Sequence, residues 1–147
     1  MRGALLPAAL CVLLVLGCRK EDVLPTVPEI ELLSVSPTLV ASFGEPVIVR
    51  FSYKDGDGDL GEVDPDAYSL EVKDSRLSAP DNYHVPPLAP EGVSVPIQGE
   101  LSVSLTPLFL IGNGTQELVT YSIRLRDRAG NWSNTIVSPQ ITVLDSL

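Results

Sequence analysis

Along much of this chain apolar and polar side chains take turns, and that two-residue period constrains the fold more than any other feature. Val47, Val49, Phe51 and Tyr53 alternate with Ile48, Arg50, Ser52 and Lys54; Tyr68, Leu70 and Val72 alternate with Ser69, Glu71 and Lys73. Leu101, Val103 and Leu105 alternate with serines, and Val119, Tyr121, Ile123 and Leu125 alternate with Thr120, Ser122, Arg124 and Arg126. Successive side chains of a strand point to opposite faces, so each run reads as a strand with one buried face. Three further segments, Ile30 to Val35, a weaker one at Val93 to Ile97, and Thr135 to Leu144, bring the expected count to about seven. No amphipathic helical period, internal repeat or low-complexity tract competes with this pattern, and thirteen prolines and eleven glycines supply the turns. The expectation is an all-β antiparallel sandwich over residues 30–147.

The stretch LVTYSIRLRDRAGNWSN, Leu118 to Asn134, resembles the sixth strand and following loop of fibronectin type III and bacterial immunoglobulin-like domains. The resemblance implies an immunoglobulin-like topology and puts Tyr121 at the tyrosine-corner position, where the hydroxyl ties back to upstream backbone. The chain departs from antibody domains in lacking their cysteine pair, and its one tryptophan, Trp132, falls in a loop.

The N-terminal seventeen residues have a single basic residue, Arg2, followed by an apolar run from Ala4 to Leu16. That run has the length of a secretory signal core and is too short to span a bilayer. It ends in VLGC, with Gly17 before Cys18, which resembles the lipobox of bacterial lipoproteins. The resemblance implies cleavage after residue 17 and a lipid on Cys18; Cys11, preceded by Leu10, is assigned to the discarded leader. Residues 18–29, with Pro25 and Pro28, then read as an extended lipidated tether. Within it Lys20, Glu21 and Asp22 look like the Lys-plus-two-acidics tag that sends lipoproteins of one large Gram-negative group to the outer face of the outer membrane; the alternative is a solvated linker start. Without Arg2 the chain keeps nine basic residues against nineteen acidic ones, a balance that repels nucleic acid and anionic headgroups. Its membrane partner would be reached through acyl chains.

Between two expected strands lies DGDGDLGEVDPD, which crowds Asp55, Asp57, Asp59, Glu62, Asp64 and Asp66 into twelve residues. Alternating aspartates can turn several carboxylates toward one point, as Ca²⁺ requires. Asp55, Asp57, Asp59 and Asp66 take positions 1, 3, 5 and 12 of an EF-hand-like loop, but Leu60 stands where the invariant Gly belongs and no flanking helices are predicted. The expectation is a calcium-binding β-loop holding Ca²⁺ through Asp55, Asp57 and Asp59, with Asp64 or Asp66 completing the shell. Immunoglobulin-like topology would bring Asp127 and Asn131 to the same end. The competing reading is a hydrated turn, since Asp-Gly pairs are ordinary turn formers.

Other chemistry is sparse. His84 stands alone between Tyr83 and two prolines, no serine has a G-x-S-x-G context, and no phosphate-binding glycine loop is present. Trp132 and Tyr83 could stack on a sugar, although packing on the sandwich end suits Trp132 better; Asn113 and Asn131 match N-x-[ST]. The sequence thus points to a non-enzymatic surface lipoprotein that binds or assembles with an unidentified surface protein or glycan. Two alternatives stay open: an enzyme or accessory subunit of a surface glycan-degrading system, and a purely structural envelope lipoprotein.

Overall fold

A computed structural model of the chain describes residues 23–105 and 107–146. The signal segment 1–17, Cys18 and the Lys20, Glu21, Asp22 triplet lie outside the described residues. The described residues hold ten strands and no helix: β1 (Glu29–Ser36), β2 (Leu39–Ala41), β3 (Val47–Asp55), β4 (Leu70–Asp74), β5 (Asp81–Tyr83), β6 (Ile97–Leu105), β7 (Gln116–Val119), β8 (Tyr121–Leu125), β9 (Ile136–Val137) and β10 (Ile141–Leu144).

β3 is the spine of one layer. It pairs antiparallel with β1, from Glu29↔Lys54 to Ser36↔Ile48, and with β6, from Val47↔Leu105 to Asp55↔Ile97. The other layer has the order β5-β4-β8-β9, and β7 and β10, which adjoin β8 and β9 in sequence, carry it on into β7-β10-β2. Every pairing is antiparallel except β2 with β10. The inward residues of both layers, among them Val49, Phe51, Val72, Ile123, Leu125 and Ile141, form one core. This is an all-β sandwich, as the alternation predicts, and it is consistent with the immunoglobulin-like topology that the resemblance implies.

Several boundaries differ from the sequence reading. The segments at Val93 to Ile97 and Leu101 to Leu105 are not two strands; β6 runs unbroken from Ile97 through Gly99, because β3 offers nine consecutive partners. The expected strands near 119–126 and 135–144 each divide, at Thr120 and at Ser138–Gln140, where the chain passes from one set of neighbours to another. Tyr68 does not enter β4 and is exposed. The three-residue strands β2 and β5 are too short to leave a periodic signal.

Candidate metal centre

Three aspartates continue the inward register past or at the end of a strand. Asp55 closes the buried series Val47, Val49, Phe51, Tyr53; Asp74 closes Leu70, Val72; Asp127 follows Tyr121, Ile123, Leu125. All three are buried, and a buried carboxylate is costly unless something pairs with it. Asp74 is fully served: Arg76 donates Nη2 to Oδ2 at 2.7 Å and Nε to Oδ1 at 3.1 Å, the Arg76 backbone N–H donates at 2.8 Å, and the Tyr121 hydroxyl donates at 3.1 Å. Burial pushes the Asp74 carboxyl up, but these donors outweigh it and hold it below the usual carboxylate range. Asp127 accepts the backbone N–H of Asn131 at 2.6 Å and its Nδ2 at 2.8 Å.

Asp55 is not served. With 0% of its surface exposed, its Oδ2 accepts the Asp59 N–H at 3.0 Å and its Oδ1 has no partner. Asp57 Oδ1 and Asp59 Oδ1 are likewise buried and unpartnered, and Asp55, Asp57 and Asp59 each bring a carboxylate oxygen within 4.8 Å of the others. Burial first, and then the adjoining Asp57 and Asp59 carboxylates, push Asp55 up to about 6. Burial and the charges of Asp127 and Asp57 raise Asp59 as well. The nearby guanidinium does not resolve this, because Arg128 donates Nη1 to the Gly61 carbonyl at 2.9 Å.

The loop is held in this shape from several sides. Leu60 is fully buried, plugging the loop into the core directly after Asp59, and its carbonyl accepts the Leu88 N–H at 3.0 Å. The 127–131 turn docks across it: Arg128 N–H donates to the Asp59 carbonyl at 3.2 Å and Ala129 N–H to Asp59 Oδ2 at 3.0 Å. An open depression lined by Asp57, Asp59, Gly92, Val93, Ser94 and Arg128 adjoins the cluster. Three convergent carboxylate oxygens fit a hard divalent cation such as Ca²⁺, which takes six to eight oxygen ligands and accepts water among them.

The sequence-derived site residues therefore separate. Asp55, Asp57 and Asp59 converge as expected, and the turn carrying Asp127 and Asn131 does meet the acidic loop. Asp64 and Asp66 do not join them: both are exposed, and Asp64 Oδ1 caps the Asp66 N–H at 2.9 Å in a turn of its own. Asp127 stays outside the three-carboxylate group, with both oxygens engaged by Asn131. Tyr121 is inward as expected, but its hydroxyl reaches the Asp74 carboxylate on the paired strand rather than upstream backbone. Sequence reasoning missed Asp74 and Arg76 altogether, although Asp74 lies two residues beyond Val72 in the inward series. His84 Nδ1 lies 3.0 Å from the Ala67 carbonyl, and Trp132 lies under the guanidinium of Arg124 at 4.1 Å from the ring centroid. At the other end of β3, Phe43 is 71% exposed with φ 57 and stacks on exposed Phe109 at 5.4 Å.

No known protein family matches the chain, and no curated protein matches it. Among solved structures it is similar to a point mutant of the SrpA adhesin from Streptococcus sanguinis, with 21% identity and a TM-score of 0.39. The match covers 84% of this chain and 58% of the adhesin chain.

Proposed function

We propose that this chain is a non-enzymatic, lipid-anchored immunoglobulin-like domain at the bacterial cell surface, a binding or assembly module whose acidic loop is held together by Ca²⁺. The observation that carries the calcium reading is that Asp55, Asp57 and Asp59 bring carboxylate oxygens within 4.8 Å of one another and that each of the three also has a buried oxygen with no partner. The two other inward strand-end aspartates described above, Asp74 and Asp127, have both carboxylate oxygens engaged by donors, whereas Asp55 keeps one oxygen with none. Asp55, Asp57 and Asp59 would each supply one oxygen, and the ion would supply the charge that lets them stay ionised side by side. Water would fill the remaining positions on the side of Asp57 and Asp59, which are only half-buried. A glycosidase needs a carboxyl pair open to a sugar in a cleft; the full enclosure of Asp55 favours an ion over such a substrate. The anchor and surface location rest on the sequence at Cys18 and at Lys20, Glu21 and Asp22.

Thermal unfolding with and without calcium tests this. Extracellular calcium modules work near ~10⁻⁴ to 10⁻³ M, and a native-state ligand at a hundredfold excess over its Kd adds about 2.7 kcal/mol. Tm should rise with millimolar Ca²⁺ and rise less with Mg²⁺, whose octahedral shell is stricter. Asp57→Asn and Asp59→Asn should blunt the response, and Asp81→Asn, on exposed β5, should leave it intact. Equal Tm in chelator and in calcium, with no heat of binding by calorimetry, would return the loop to a hydrated turn.

A further inference from the structure

We propose that the acidic loop is a cation-dependent clamp on the segment leading into the domain: occupancy of the Asp55, Asp57, Asp59 cluster decides whether Leu24 and Pro25 lie docked on Gly56. The inference rests on the calcium reading above and adds to it what the ion controls. The Gly56 N–H donates to the Pro25 carbonyl at 2.6 Å. The approach is so close that a Cβ on Gly56 would fall 2.4 Å from the Leu24 carbonyl oxygen and 2.9 Å from that of Pro25. Backbone thus lies on backbone, with Gly56 directly between Asp55 and Asp57.

The coupling follows from where the loop can give way. Asp55 and Leu60 are both fully buried and fix its two ends. Asp59 is held as well, by the backbone N–H groups of Arg128 and Ala129, so with no cation the repulsion among three carboxylates within 4.8 Å falls on residues 56–58, and Gly56 is among them. On the other partner, Val23, Thr26 and Val27 are exposed, and among the described residues the bond from Gly56 is the one hydrogen bond that residues 23–27 make. The next fixed points are buried Pro28 and Ile30, whose backbone is clamped by the Asn134 side chain through bonds of 2.9 and 2.8 Å. Cation binding would make the stretch from 23 to 27 part of the domain; cation loss would turn it into a flexible joint.

The test uses the chain from residue 18 onward with Cys18→Ser, so that no lipid is needed for solubility. Backbone order parameters of Leu24 and Thr26, measured by NMR relaxation in chelator, in Mg²⁺ and in Ca²⁺, report the segment itself. Calcium should move them from the flexible range, below ~0.6, toward the rigid value near ~0.85. Gly56→Ala keeps all three carboxylates but blocks docking, so its segment should stay flexible in calcium. Because coupling is reciprocal, its calcium affinity by calorimetry should fall by about tenfold. Gly114→Ala, where an added Cβ would meet only ordinary contacts at 3.6 Å and beyond, should bind calcium as the parent does. Binding heat with unchanged order at Leu24 and Thr26 would overturn the clamp and leave the calcium site standing. Absence of binding heat would overturn the calcium reading and the clamp with it.

Discussion

Asp74 and Asp55 are the same residue in the same kind of place, the inward position at the end of a strand, and they differ in what meets them. Asp74 receives a guanidinium and a phenol; Asp55 receives two more carboxylates. The consequence for Asp74 can be read by pH. Its carboxyl is held below its ordinary value of 3.8, so the native state binds that proton less tightly than the unfolded chain does. Its stabilising contribution is complete above about pH 4 and is lost as pH falls through the lowered value. Asp55, raised to about 6 in the cation-free protein, acts with the opposite sign: it adds stability as pH falls from about 6 through its ordinary value of 3.8, and it adds no further change well below that. Asp74→Asn should therefore lower stability at neutral pH and flatten its decline below pH 4, measured by urea unfolding. Tyr121→Phe removes one hydrogen bond to a charged acceptor and should cost about 1.5–3 kcal/mol with the fold retained. Stability indifferent to Tyr121→Phe would mean that the hydroxyl is not tied to Asp74.

At the scale of elements the alternation was a reliable guide wherever a strand had a neighbour on each side or a core beneath it. Val47 to Asp55 alternates without a break, and β3 is the spine of its layer. The series even held the key to the site, since counting in twos from Val47 lands on Asp55 and predicts an inward carboxylate. What could not be read was set by partners distant in sequence. β2 exists because β10 lies beside it, and the division at Thr120 exists because β7 and β8 face different strands. Leu60 was legible only as a defect, a non-glycine at the sixth position of an EF-hand-like loop; in the structure it is the plug that seats the acidic loop. Leu60→Ala should accordingly cost about 2–5 kcal/mol by leaving a cavity, and it should do so in chelator as well as in calcium. Asp57→Asn in chelator should instead cost little, because it removes repulsion and no packing. Urea midpoints of the two variants, each taken with and without calcium, separate the two roles of the loop. A Leu60→Ala protein as stable as the parent would place that side chain outside the core.

The whole molecule has a polarity that follows from β3. Its last residue, Asp55, and the first residue of β1, paired at Glu29↔Lys54, lie at one end; Phe43, before its first residue, lies at the other, some 27–30 Å away for nine residues of strand. The chain therefore enters the sandwich at the acidic end, and an anchor on Cys18 would turn that end toward the membrane and the Phe43–Phe109 stack away from it. If the chain is anchored in the outer membrane as proposed, the face that carries the domain would be set by residues ahead of the fold. Lys20, Glu21 and Asp22 precede the docked Leu24 and Pro25, so changing all three to alanine should leave the Tm of the purified domain unaltered. In cells the same change should act on location: protease added to intact cells should degrade the parent protein, and the triple-alanine form should be protected until the outer membrane is opened. Cys18→Ser should abolish labelling by a fatty-acid probe and leave an unprocessed precursor, whereas Cys11→Ser should change neither. Labelling that persists in Cys18→Ser would remove the anchor from this position. Equal protection of parent and triple-alanine forms would put the domain on the periplasmic leaflet, where the acidic end would still face the membrane and only the side of the bilayer would change.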